Sequence, residues 1–173
     1  MATQAFHAYK NKDVRTVGNV TSSHAYVQDI PNGAVLLEDV DNFTLVELSF
    51  DANGERAASS LTDVAKKGYL IASPERRYLG ELISEFYNGE GERGRIIILT
   101  EGLRFESSAF ELSVVTEVEK GQFAHFDPAT KKFLIHDGTH ADYANAVNKL
   151  LVVSNEEDIT YTLGFPMVRF EVI

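Results

Sequence analysis

Three stretches of this sequence hold reactive residue types at spacings that could do chemistry. The first is Tyr87-Asn88-Gly89-Glu90-Gly91-Glu92-Arg93-Gly94, which contains a G-x-G-x-x-G pattern at residues 89–94. Glycines so spaced let a backbone approach a dinucleotide pyrophosphate. That use needs a strand before the glycines and a helix after them, with the helix N-terminus facing the phosphate. Here the predicted order is reversed: a helix leads in, and the apolar Arg95-Ile96-Ile97-Ile98-Leu99 follows as a strand. Glu90 and Glu92 would also repel an anion. The stretch reads as a mobile connection, with Asn88-Gly89 closing the helix. Arg93 and Arg95 are placed to pair with Glu90 and Glu92 at the surface.

The second stretch, His136-Asp137-Gly138-Thr139-His140, places two histidines four apart. Zinc motifs of that spacing work because a helix turns both imidazoles to one face. Asp137-Gly138 instead forms a turn after an apolar strand. A ligand set with His125, Asp127 or Asp142 would need the fold to assemble it, and a polar surface turn is the simpler reading. The third, Asp51-Ala52-Asn53-Gly54-Glu55, offers oxygen atoms near a glycine but lacks the rest of a calcium loop; it reads as a hairpin turn. No serine lies in a Gly-x-Ser-x-Gly elbow, and without tryptophan no sugar platform stands beside the many carboxylates. The sequons at Asn19 and Asn42 carry no weight without a secretory signal. On these grounds no catalytic residue, cofactor or metal ligand is assigned, and the protein is expected not to be an enzyme.

The bulk numbers bound the class of protein. A chain of 173 residues can bury roughly 70% of its unfolded surface. It has no cysteine, hence no disulfides or thiolate sites. It has no apolar run long enough for a membrane span, and its first residues lack the apolar core of a signal peptide. The net charge of −10 disfavours nucleic acid as partner. That charge is uneven: residues 2–17 carry Lys10, Lys12 and Arg15 against Asp13 alone. Residues 1–17 therefore read as a basic, polar arm on an acidic body.

The body at 18–173 reads as a single β-rich domain. In Met167–Ile173, Val168, Phe170 and Val172 alternate with Arg169 and Glu171, a sorting that only a period of two produces. Further strands are expected at Phe43–Phe50, Ala25–Ile30, Ala34–Leu37, Tyr69–Ala72, Arg95–Leu99, Leu112–Val118, Gln122–Phe126, Lys132–Ile135, Leu150–Val153 and Ile159–Leu163. Pro31-Asn32-Gly33, Asp51–Gly54, Lys120-Gly121, Asp127-Pro128 and Asp137-Gly138 supply the turns. A helix is expected after the Ser73-Pro74 cap, with Tyr78, Leu79, Leu82, Ile83 and Phe86 on one face. A second short helix is expected at Ala141–Val147, and residues 55–67 read as a loop or weak helix, so a helical insertion is drawn at 55–88. The expected class is mainly β: an antiparallel sandwich or barrel-like domain with one or two short helices and an extended N-terminal arm.

Several phrases carry a likeness. DIPNGAVLL reads as a strand entry, FYNGEGERGRIIILTEGLRFE as a turn, an apolar strand and a Gly-to-Phe-Glu exit, and VEKGQFAHFDPATKKFLI as a late hairpin. Their order resembles that of tailed-bacteriophage capsid decoration, or cement, proteins and related head proteins. The resemblance implies a protein of the virion, made in the host cytoplasm, that binds the major capsid protein and self-associates on the shell. It implies that the arm docks on the capsid, with Phe6, His7, Tyr9, Lys10, Lys12 and Arg15 as anchors. A tail- or fibre-associated protein would use the same β-rich chemistry, and a small metal-dependent enzyme built on His125, His136 and His140 is the remaining alternative.

Overall fold

A computed structural model describes residues 15–22, 27–75, 83–162 and 165–173. Among these residues the chain forms short strands: β1 Gly18–Val20, β2 Gln28–Asp29, β3 Ala34–Leu36, β4 Leu45–Phe50, β5 Arg56–Ser60, β6 Tyr69–Ile71, β7 Arg93–Gly94, β8 Ile96–Ile98, β9 Arg104–Ser107, β10 Phe110–Leu112, β11 Phe123–Asp127, β12 Lys132–His136, β13 Lys149–Val152, β14 Thr160–Thr162 and β15 Phe165–Val172. They make two sheets. The larger runs β1-β9-β15-β13-β11-β12-β10, with β14 paired to the start of β15; the smaller runs β2-β8-β6-β4-β5-β3-β7. Both are mixed, because β10 lies parallel to β12 and β3 parallel to β5. The mainly-β expectation holds.

The apolar faces of the two sheets meet in one core. Leu45, Leu70 and Ile97 from the smaller sheet pack in a cluster with Phe105, Phe126, Phe133, Leu150 and Phe170 from the larger. Phe105, Phe133 and Phe170 form a triangle with ring centroids 5.0 to 5.6 Å apart. The alternation read in the last strand is met: Val168, Phe170 and Val172 are buried. On the other face of β15, Arg169 meets Glu106 at 2.6 Å and Glu171 meets Arg104, both on β9. The centre of the smaller sheet is buried on both sides. Alternate residues Ile71 and Ile96 join Leu36, Val40, Val46 and Ala58 in a second cluster.

Several expectations are corrected. Arg56–Ser60, read as loop or weak helix within an insertion at 55–88, is strand β5, between β4 and β3. Its small residues have weak strand preference, but Ala57 and Ala58 are fully buried between their neighbours. The turn before it fixes the hairpin, since the Asp51 carboxylate accepts the N–H groups of Asn53 and Glu55. The strand expected at Leu112–Val118 stops at Leu112, and Val114 takes φ 60°. The expected short helix at 141–147 is a 3-10 turn, Ala141–Ala144. Most of the helix expected after Pro74 lies at 76–82, outside the described residues; residues 83–85 form a turn.

The glycine motif is not a mobile connection. Gly91 N–H donates to Leu36 O, Leu36 N–H to Glu92 O, and Gly89 N–H to the Glu92 carboxylate. These donors are used by the protein itself, so no phosphate cradle forms. Arg93 pairs with Glu55 and Arg95 with Asp29, rather than with Glu90 and Glu92.

Candidate functional site: a buried histidine cluster

The hairpin β11–β12 sets the site. Asp127 pairs with Lys132, so His125 lies opposite Leu134 and Phe123 opposite His136. Ala124, Phe126, Phe133 and Ile135 point into the core. His125 and His136 therefore share the opposite face of the larger sheet. They are nonetheless 1% and 0% exposed, because the connection after β12 folds back over them. Asp137 shapes that connection by accepting from Thr139 N–H and Oγ. The 3-10 turn Ala141–Ala144 then brings His140 and Tyr143 onto the pair. The His140 ring lies 4.8 Å from that of His125, and the Tyr143 ring 4.7 Å from that of His136. Lys149 of β13 stands over Tyr143.

Nδ1 of His125 and Nε2 of His136 are 3.0 Å apart, and Gly138 N–H donates to Nδ1 of His136 at 2.9 Å. Burial, then the neighbouring His125 and His140, pushes the His136 pKa down to about 4. Burial also lowers His125, with His140 next in effect. Both rings are therefore uncharged at neutral pH. Burial raises the Tyr143 hydroxyl. Asp127 stays low despite burial, because Thr130 and Ala129 donate hydrogen bonds to it. The cluster can hold protons in fixed positions, and its ring nitrogens and carboxylates can act as cation ligands.

Beside it runs an open groove of about 750 Å³, lined by Glu38, Ser60, Asp63, Asp127, Lys131 and Asp142 among others. It lies along the seam where the smaller sheet meets the β11–β12 turn.

The structure thus brings together His136 and His140, which the sequence placed in a polar surface turn, and His125, which it placed in the strand at Gln122–Phe126. The missed signal was the hairpin register. Four residues, 128–131, link Asp127 to Lys132, and that spacing alone puts His125 and His136 on one face. Tyr143 and the uncapped Nε2 of His125 carried no sequence signal. Of the arm residues, Phe6, His7, Tyr9, Lys10 and Lys12 lie outside the described residues. Arg15 is held by the body: it pairs with Asp41 at 3.0 Å and stacks on Tyr87. The sequon residue Asn42 is fully buried and bonded to Ser73.

Comparison with known proteins places the chain among prophage products. It is 51% identical over 178 residues to the SPbeta prophage-derived uncharacterized protein YonC of Bacillus subtilis (strain 168), covering 100% of this chain and 99% of that protein. No solved structure matches it. The YonC prophage protein family matches residues 11–173. With nearly the whole chain matched, the protein belongs to the YonC prophage protein family.

Proposed function

We propose that this phage protein is a structural component of the virion that binds the outer surface of the capsid, acting by binding rather than by catalysis. The observation that carries the reading is where the arm meets the body. Strand β1, the first described strand, lies at an edge of the larger sheet and, among the described residues, pairs only with β9. Residues 2–14 therefore precede an outer edge of a tightly packed body. They carry Lys10 and Lys12 against Asp13, while the whole chain is acidic at −10. An extended arm gains affinity through main-chain hydrogen bonds to a partner's sheet edge. Phe6 and Tyr9 would add buried area, and His7, Lys10 and Lys12 polar and cationic contacts. Many copies on one shell gain avidity wherever they touch.

The test is location. Particles from an induced host carrying this gene are separated on a density gradient and the chain is quantified by mass spectrometry. The reading expects a peak with intact heads at a fixed ratio to the major shell protein. A peak with tails, or with free soluble protein, overturns it. Purified heads mixed with the chain lacking residues 2–14 should show no saturable binding; binding equal to wild type removes the arm from the mechanism.

A further inference from the structure

The backbone fixes the protons of the histidine pair. The Gly138 N–H can only donate, so Nδ1 of His136 is an acceptor and neutral His136 carries its proton on Nε2. That proton lies along the contact to Nδ1 of His125. Neutral His125 must then hold its own proton on Nε2. This nitrogen is buried and has no hydrogen-bond partner among the described residues. Buried polar atoms of native proteins are nearly all partnered, so the orphan asks for a ligand.

The neighbours supply one kind of answer. Ligand atoms of His125, His140 and Asp142 all lie within 4.8 Å of one another. Nδ1 of His140 is 3.9 Å from the Asp142 carboxylate, and its lone pair receives only a long 3.3 Å contact from the Asp142 N–H. Two imidazoles and a carboxylate suit zinc and related divalent ions. Asp63, Asp127 and Glu38 along the adjoining groove add to a field that favours cations.

We propose that His125, His140 and Asp142 bind one divalent transition-metal ion of the zinc class. The ion would tie the connection at 137–146 to the larger sheet, and this inference is independent of the capsid reading. Tetrahedral coordination needs ligand atoms about 3.3 Å apart, given metal–nitrogen distances near 2.0–2.1 Å. The Asp142 side chain, 64% exposed, has room to close its 3.9 Å distance to His140, and the connection carrying His140 would close on His125. Coordination through Nε2 of His125 also moves a proton. Nδ1 of His125 then carries one and donates to Nε2 of His136, while Nδ1 of His136 carries the other. The pair holds two protons before and after. The Asp137–Gly138 peptide must then turn over, so that the Asp137 carbonyl accepts from Nδ1–H of His136 where the Gly138 N–H had donated, a change that glycine at φ 97° tolerates. His136 becomes the outer partner that orients a ligand.

The experiment uses the full chain, purified without a tag and stripped with a chelator. It is titrated with zinc chloride by calorimetry and with cobalt(II) by visible absorption. The expected result is one ion per chain, cobalt bands of tetrahedral or five-coordinate intensity, and a higher Tm with zinc. His140→Ala and Asp142→Asn lie toward the surface and spare the buried pair; each should weaken binding about tenfold or more. Replacing His7 and His24 with Gln should leave binding unchanged. Absence of saturable binding overturns the proposal. So does binding that survives both site variants, or that is lost with His7 and His24.

Discussion

His136 is kept uncharged chiefly because its ring is buried, and that has a pH consequence. Its pKa falls to about 4 in the fold, against an ordinary 6.5. The titratable groups facing the pair are His140, Asp127, Asp137, Asp142 and, from β13, Lys149; burial, with His140 next, outweighs the carboxylates. The unfolded chain takes up protons near pH 6.5 and the folded chain only below that. The contribution to stability is therefore whole above pH 6.5 and is lost as the pH falls from 6.5 toward 4. Urea midpoints of the metal-free protein, taken between pH 7.5 and 4.5, should fall steadily, and His136→Asn should flatten the fall. A flat wild-type profile would contradict a buried, neutral pair. At this scale the sequence revealed identities but not company. His136 and His140 were visible as a pair, yet only strand register and a returning connection show that both sit on His125.

Strand elements were legible where one face meets the core and the other meets charge, as in β15. They were not legible where both faces are buried or where small residues do the pairing. β5 is made of Ala and Ser beside one Arg, and nothing in its own residues announces a strand; its neighbours β3 and β4 decide it. The 113–118 segment shows the reverse, since its valines suggest a strand that the left-handed turn at Val114 ends. Connections between elements rest on buried amides that composition does not reveal. Asn148 is one: it accepts from Gly68 N–H and donates to Lys66 O, both at 3.1 Å, and its neighbour Val147 donates to Val64 O. Asn148→Ala leaves the Gly68 donor and the Lys66 acceptor without these partners, at a cost of about 1–3 kcal/mol. Chemical denaturation at neutral pH measures that loss, and an unchanged midpoint would mean solvent replaces the amide.

At the scale of the whole molecule, composition assigned residues 1–17 to the arm, yet Arg15 and Val17 at the end of that stretch pack on the body. Val17 is fully buried and exchanges hydrogen bonds with Ser108, while Arg15 is bound to Ser84 and Asp41. The charge pattern could not mark this boundary, because Arg15 is charged yet belongs to the body. Removing residues 2–14 should leave the Tm nearly unchanged. Removing 2–17 should cost about 2–3 kcal/mol through the loss of Val17 burial alone. Thermal melts of the two truncations side by side decide the point; equal melts would return Val17 to the arm.

The order of strands also governs how the protein can be made. The smaller sheet draws all its strands from residues 28–98, so it can close early during synthesis. The larger sheet cannot. Strand β15, at 165–172, is placed between β9 and β13, and every other member of that sheet leaves the ribosome before it. Until it arrives, β9 and β13 present open edges and the Phe105–Phe133 contact lacks its third ring. The nascent chain therefore passes through a half-built stage with an exposed aromatic face, and it is then that chaperones or aggregation compete with folding.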